Sequence, residues 1–186
     1  VAVITNSSLL HVPAVRRELA AADLVMAKLD ACSQDGLRRL SQPHSSITFS
    51  MIMKGLRQFR RMYKGIFTVQ SMFVDENKAD AAKIAALAKE LAPNMVYINT
   101  PLRPSGCVPL SKAAMNAVKR CFTALDIPVL CVYDKAHGPV KPINLQDTRQ
   151  RRGLEQHCPK KRKKDIICHG ASLNTINTKG PANADL

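Results

Sequence analysis

A chain of 186 residues that is 46% apolar can bury one substantial core, which excludes a protein disordered throughout. No run reaches the roughly 18 apolar residues of a membrane helix, and no charged-then-apolar leader precedes the first apolar run, so the expectation is a soluble, cytoplasmic protein. The net charge of +14 is uneven, with 18 Lys and Arg against 10 Asp and Glu in residues 1–137 and 10 against 4 in residues 138–186; such an excess attracts phosphate polyanions without saying which.

The chain opens inside an apolar, β-branched run at Val1 to Ile4, so its natural start is expected upstream. After Pro13, Val15, Leu19 and Ala22 recur at helical spacing, and an apolar strand over 24–29 follows. Residues 50–63 place Ile52, Met53, Leu56 and Phe59 on one face and Lys54, Arg57, Arg60 and Arg61 largely on the other, which is an amphipathic helix that Gly65 ends. A third strand is predicted over 66–74, a helix over 79–92 stopped by Pro93, a fourth strand over 95–99, a helix from the N-cap Ser111 through 125, and a fifth strand over 129–133. Strands alternating with helices of this length predict βαβ crossovers and a parallel sheet, which either an open doubly wound sheet or an α/β barrel satisfies. Beyond His137 the composition turns polar and charged, and the run Pro159 to Lys164 with its Gly, Asn and Thr-rich sequel predicts a mobile basic tail.

Polar residues gather at the carboxyl ends of these strands, where α/β proteins build their sites. Thr5 and Asn6 end the first strand and can bond a ligand or stabilise a local turn. Lys28 and Asp30 alternate with Ala27 and Leu29 and so share one side of the second strand, as an internal ion pair or as ligand contacts. Gln70 and Met72 share a face of the third strand, Met72 read as core packing and Gln70 as open between core and substrate. Asn99, Thr100 and Arg103 close the fourth, with Pro101 and Pro104 fixing the exit; Arg103 offers a fork of donors suited to a carboxylate or phosphate, and a pairing with Asp134 is the other reading. The six cysteines, at 32, 107, 121, 131, 158 and 168, form no CxxC or CxxxCxxC motif, and Cys121 and Cys131 fall in apolar patterns. His157, Cys158, Cys168 and His169 match no usual zinc-finger spacing.

The run Leu24 to Ala31, with Arg39, Pro43, Ile47, Thr48, Ile52, Gly55, Leu56 and Phe59 after it, Thr5-Asn6 before it and the segment Asn99 to Pro104 beyond, resembles the radical S-adenosylmethionine superfamily over residues 1–152. The likeness is to its iron–sulfur oxidoreductases similar to those of tRNA wybutosine and molybdopterin-precursor synthesis. It implies an α/β fold, a parallel-sheet partial (β/α) barrel truncated at its N-terminus, in which the first strand here is similar to the family's third. Residues 1–137 would form the barrel part, 138–152 a family-like extension and 153–186 the tail. The resemblance implies S-adenosylmethionine and a [4Fe-4S] cluster as cofactors, with Thr5, Asn6, Lys28 and Asp30 toward the former and Gln70, Asn99 and Arg103 toward substrate. The sequence departs from the family where it matters most: the CxxxCxxC loop and the Gly-Gly-Glu motif are absent, and two βα units with them. The expectation is a fragment of an oxidoreductase, inactive alone, metal-binding only in its intact parent, and prone to self-association through an exposed sheet edge. Its substrate would be a small molecule or tRNA. The alternative is a non-catalytic tRNA-binding module using Arg57, Arg60, Arg61 and the tail.

Overall fold

Every strand expected from the sequence is present in the computed structural model, which describes residues 1–102, 107–123 and 125–134 together with 144, 146, 147 and 150. The strands are β1 (Ala2–Thr5), β2 (Leu24–Lys28), β3 (Ile66–Met72), β4 (Met95–Asn99) and β5 (Val129–Cys131). They form one all-parallel sheet in the order β1-β2-β3-β4-β5, without a reversal. Five helices join them: α1 (Pro13–Leu19), α2 (Gln34–Ser41), α3 (Phe49–Met62), α4 (Ala81–Leu91) and α5 (Lys112–Phe122). The expected tail, the extension and the His/Cys tetrad lie outside the described residues, apart from the four isolated positions just named.

Strand order decides which side the helices cover. Parallel crossovers are right-handed, so a sheet whose strands follow one another in sequence order sends every crossover to the same face. Burial agrees. Val25, Ala27, Leu29, Phe67, Val69, Phe73, Val96, Ile98 and Cys131 alternate onto one side and join Leu56, Phe59, Ile84, Leu91, Met115 and Phe122 in a single core. No strand residue of the other side, among them Met26, Met72, Met95 and Tyr97, belongs to that core, and Ile4 and Ile66 are 69% and 51% exposed there. One-sided cover is the arrangement of an arc of a β/α barrel, not of a doubly wound sheet. Edge-to-face rings lock the helical layer to the sheet, Phe59 on Phe67 and Phe73 on Phe122, each with centroids 6.0 Å apart.

Element ends shift from the expected positions for local reasons. β3 stops at Met72 because the Val74 amide is taken by Asn77 Oδ1 at 2.9 Å. β5 stops at Cys131 because Asp134 accepts from the Cys131 amide and turns the chain. α4 is preceded by a 3-10 turn, Lys78–Asp80, and ends where Ala92, excluded from the helical region by Pro93, adopts φ 44°. α5 begins at the Ser111 cap, whose hydroxyl accepts from the Ala114 amide, but ends at Phe122. α2 has no counterpart in the sequence reading.

Candidate functional site

The β1–α1 turn is built by short polar side chains. Thr5 Oγ1 accepts from the Ser7 amide and Asn6 Oδ1 accepts from the Ser8 amide, each at 3.1 Å, which lets Ser7 hold φ 69° while fully buried. Beside it β2 ends in the pair Lys28 Nζ–Asp30 Oδ2, 2.9 Å apart, and the second carboxylate oxygen of Asp30 accepts from the Met72 amide at 2.8 Å. Asp30 is largely buried while Lys28 keeps a substantial part of its side chain in the open. An ammonium with one partner has donors left for a ligand, whereas both oxygens of Asp30 are engaged.

These groups floor a cavity of about 800 Å³, within the usual size range for a cofactor or substrate site. Asn6, Ser8, Lys28 and Asp30 supply its polar side; Leu9, Leu37, Leu40, Ile47, Phe49 and Ile52 supply an apolar wall; His44 and Ser46 lie on the loop between α2 and α3. The wall exists because Gln34 Oε1 accepts from the Phe49 amide at 2.8 Å, which brings the first turns of α2 and α3 together. Their caps, Ser33 to Gly36 and Thr48 to Met51, define those turns.

Of the residues singled out in the sequence, Asn6, Lys28 and Asp30 line the cavity, and Thr5 shapes the turn beneath it. Gln70 is the register partner of Lys28 on the open face, and Asn99 that of Met72, but neither lines the cavity. Arg103 lies outside the described residues. Asp134, the other partner weighed for it, accepts from Lys119 Nζ at 2.8 Å, and that ammonium, with the Cys131 amide, holds the Asp134 carboxyl below the usual carboxylate range. Met72, assigned to core packing from sequence, lines the cavity: it lies on the face of β3 opposite the helical core, where no described helix packs on it. The sequence reading missed the whole α2 wall. Its signals were a Ser33 cap, Asp35 in the first turn and Arg38-Arg39 in the last, with Leu37 and Leu40 three apart.

The implied cofactors fare differently against these residues. No group of three or more His, Cys, Asp or Glu among the described residues is placed to hold a metal ion, so the described side chains do not fit an iron–sulfur cluster. The cavity lining combines charged and amide groups with apolar side chains, which are the kinds of group that S-adenosylmethionine would need. No helix among the described residues is long and apolar enough to cross a membrane.

No protein-family model matches the chain. It is 31% identical over 156 residues to the GTPase Obg of Brachyspira hyodysenteriae, a match covering 79% of this chain and 23% of that protein. It is 36% identical over 107 residues to a UPF0026 protein of Methanocaldococcus jannaschii, covering 56% of this chain and 33% of that one. The chain thus spans between about a quarter and a third of the length of these relatives. A G-x-x-x-x-G-K phosphate loop needs two glycines five apart, a spacing this sequence does not contain. Among solved structures, a domain of pyruvate-formate lyase-activating enzyme from Bacteroides vulgatus superposes with TM-score 0.57 at 12% identity, covering 70% of this chain and 79% of that one. A radical SAM methyltransferase from Sphaerobacter thermophilus superposes with TM-score 0.51 at 21% identity, covering 70% and 39%. At such identities the likeness is one of fold: the five-stranded parallel sheet with its helices is the α/β fold of these radical SAM neighbours.

Proposed function

We propose that this chain is part of a radical SAM oxidoreductase and carries the portion of the barrel that holds S-adenosylmethionine and faces the substrate. The observation that carries the reading is the Lys28–Asp30 pair set at the floor of the cavity, at the carboxyl end of a one-sided parallel sheet. Lys28 donates its free N–H groups to a carboxylate or ribose hydroxyl of the cofactor, Asp30 orients it, Asn6 contributes its amide, and Thr5 keeps the turn in shape. The apolar wall excludes water from the rest of the ligand. S-adenosylmethionine, when bound, supplies a cleavable sulfonium from which the parent enzyme draws hydrogen abstraction. The residues present do not fit the cluster that such cleavage uses, so no electron-transfer step is assigned to this chain, and alone it is inactive.

Gln70, Asn99 and Arg103 form the substrate side, the first two on the open face next to Lys28 and Met72 by register. Grouping with the enzymes of tRNA wybutosine and molybdopterin-precursor synthesis is supported by the residue pattern around β2. The free edge of β1, with Ile4 exposed beside it, is a site of self-association. The tRNA-binding alternative loses support from its own arginines, because Arg57 is bonded twice to Glu90 and Arg60 donates to the Ala92 carbonyl.

Calorimetry of the whole chain with S-adenosylmethionine tests the reading. Saturable binding with a Kd below ~1 mM, weakened about tenfold in Lys28→Met, is expected from loss of one charge-assisted contact. No heat of binding at millimolar ligand, together with salt-sensitive retention of tRNA, would overturn it in favour of the alternative.

A further inference from the structure

The main chain of β2 runs out of sheet partners where its charged residues begin. Ladder pairing with β1 ends at Ala27 and with β3 at Lys28, after which the Leu29 amide still donates to the Gln70 carbonyl at 2.9 Å but the carbonyls of 28–30 have no strand partner. Three side chains from three other elements take over. Ser7 Oγ, in the β1–α1 turn, donates to the Lys28 carbonyl at 2.8 Å; Ser71 Oγ, on β3, donates to the Leu29 carbonyl at 2.6 Å; Asn77 Nδ2, before the 3-10 turn, donates to the Asp30 carbonyl at 2.9 Å. Each of these side chains is at most 1% exposed. Burying two hydroxyls and an amide is costly unless their bonds are made, and here each makes one to a carbonyl of this tripeptide. Of the five buried polar residues among those described, three bond three consecutive carbonyls, Asn77 also holding the Met72 carbonyl and the Val74 amide.

We propose that Ser7, Ser71 and Asn77 are positioning residues, which fix the tripeptide 28–30 so that the Lys28–Asp30 pair is presented to the cavity ready for ligand. They touch no ligand themselves and act through Lys28 and Asp30. The affinity part of this proposal rests on the reading of the cavity as an S-adenosylmethionine site; the geometric part does not. A group held within a fraction of an ångström by its supporting shell binds without first being ordered, and loosening the shell is felt as lost affinity.

Two variants remove a capping hydroxyl at low risk to folding: Ser7→Gly, because glycine accepts φ 69° freely, and Ser71→Ala; Ser71→Thr restores the hydroxyl. Calorimetry of the whole chain with S-adenosylmethionine is expected to give about tenfold weaker binding for Ser7→Gly and Ser71→Ala, recovery in Ser71→Thr, and less than a twofold effect of either when Lys28→Met is already present. Amide hydrogen exchange reads the geometry without ligand. The Met72 amide, bonded to Asp30, should exchange about tenfold faster in both hydroxyl-deleted variants, while that of Val69 in the middle of β3 is unchanged. Equal losses of affinity with and without Lys28, or parallel acceleration of Met72 and Val69, would overturn the proposal and mark the three residues as fold elements only. If the wild-type chain binds no S-adenosylmethionine, the ligand reading fails by itself, and the Met72 amide alone decides the positioning role.

Discussion

Replacing Gly55 by Ala sets helix propensity against packing, and the two predict opposite signs. In an exposed helix the substitution stabilises by about 1 kcal/mol, through propensity and a less flexible unfolded chain. Gly55, midway along α3, is buried where the helix crosses the β1–α1 connection: a Cβ built there stands 2.5 Å from both the His11 nitrogen and the Leu10 carbonyl carbon and 2.9 Å from Leu10 Cβ. Ordinary contacts between such atoms begin near 3.5 Å, so helix and connection must part by about 1 Å. The nearest atoms are backbone and cannot rotate away, and Leu10 is 1% exposed in the core, which places the cost at the upper end of the ~1–3 kcal/mol of overpacking. The net expectation is destabilisation of roughly 1–2 kcal/mol and a Tm lower by about 2–8 °C. Urea unfolding of the whole chain followed by circular dichroism, with Ser50→Ala on the exposed side of α3 as control, measures it. A Gly55→Ala protein more stable than wild type would refute the close crossing of α3 over Leu10 and, with it, the placement of Leu9 and Ile52 on one cavity wall.

Acid should loosen β5 from α5. The Asp134 carboxyl is held below its ordinary range by Lys119, so its contribution is present above the unfolded-state value near 3.9 and is lost as pH falls through the lower folded one; Asp134→Asn should flatten that part of the stability curve, and an unchanged acid limb in urea midpoints would refute the assignment. At the other edge of the sheet, Ile4→Lys should convert an associating chain to monomer in sedimentation at equal concentration; a wild-type chain already monomeric, or association unaltered by the substitution, would refute pairing through β1.

The strands were legible because each is a short apolar run bounded by turn residues, and Lys28 and Asp30 stood out because charge at alternate positions of such a run has to be explained. What they do together was not legible. Alternation puts them on one side, but whether they meet depends on how the tripeptide leaves the sheet, which Ser7, Ser71 and Asn77 fix from 21, 42 and 47 residues away. α2 escaped for a different reason. Only Leu37 is a buried apolar side chain in its eight residues, so its apolar face is narrow, and it is placed as a cavity wall by Leu37 and Leu40 against the core together with the bond from the Phe49 amide to Gln34. Met72 shows the same limit from the other side: an apolar residue on a strand reads as core until one knows which face the described helices cover.

The side of cover is also what locates the site. Five alternating units suit an open doubly wound sheet as well as a barrel, and in the open sheet a ligand crevice forms where strand order reverses and neighbouring crossovers diverge to opposite faces. Here the order never reverses, so no such crevice exists among the described strands, and the described helices share one face while none of them packs on the side that carries Ile4, Met26 and Leu130. A ligand at the carboxyl ends of such a sheet would meet several strands at once, as in barrels. Lys28 and Gln70 stand side by side on that face, and Met72 and Asn99 one step nearer the rim. Lys28 and Met72 of these rows line the cavity together with Leu37 and Leu40 of α2 and His44 and Ser46 of its loop, so a ligand there would lie between the strand ends and α2.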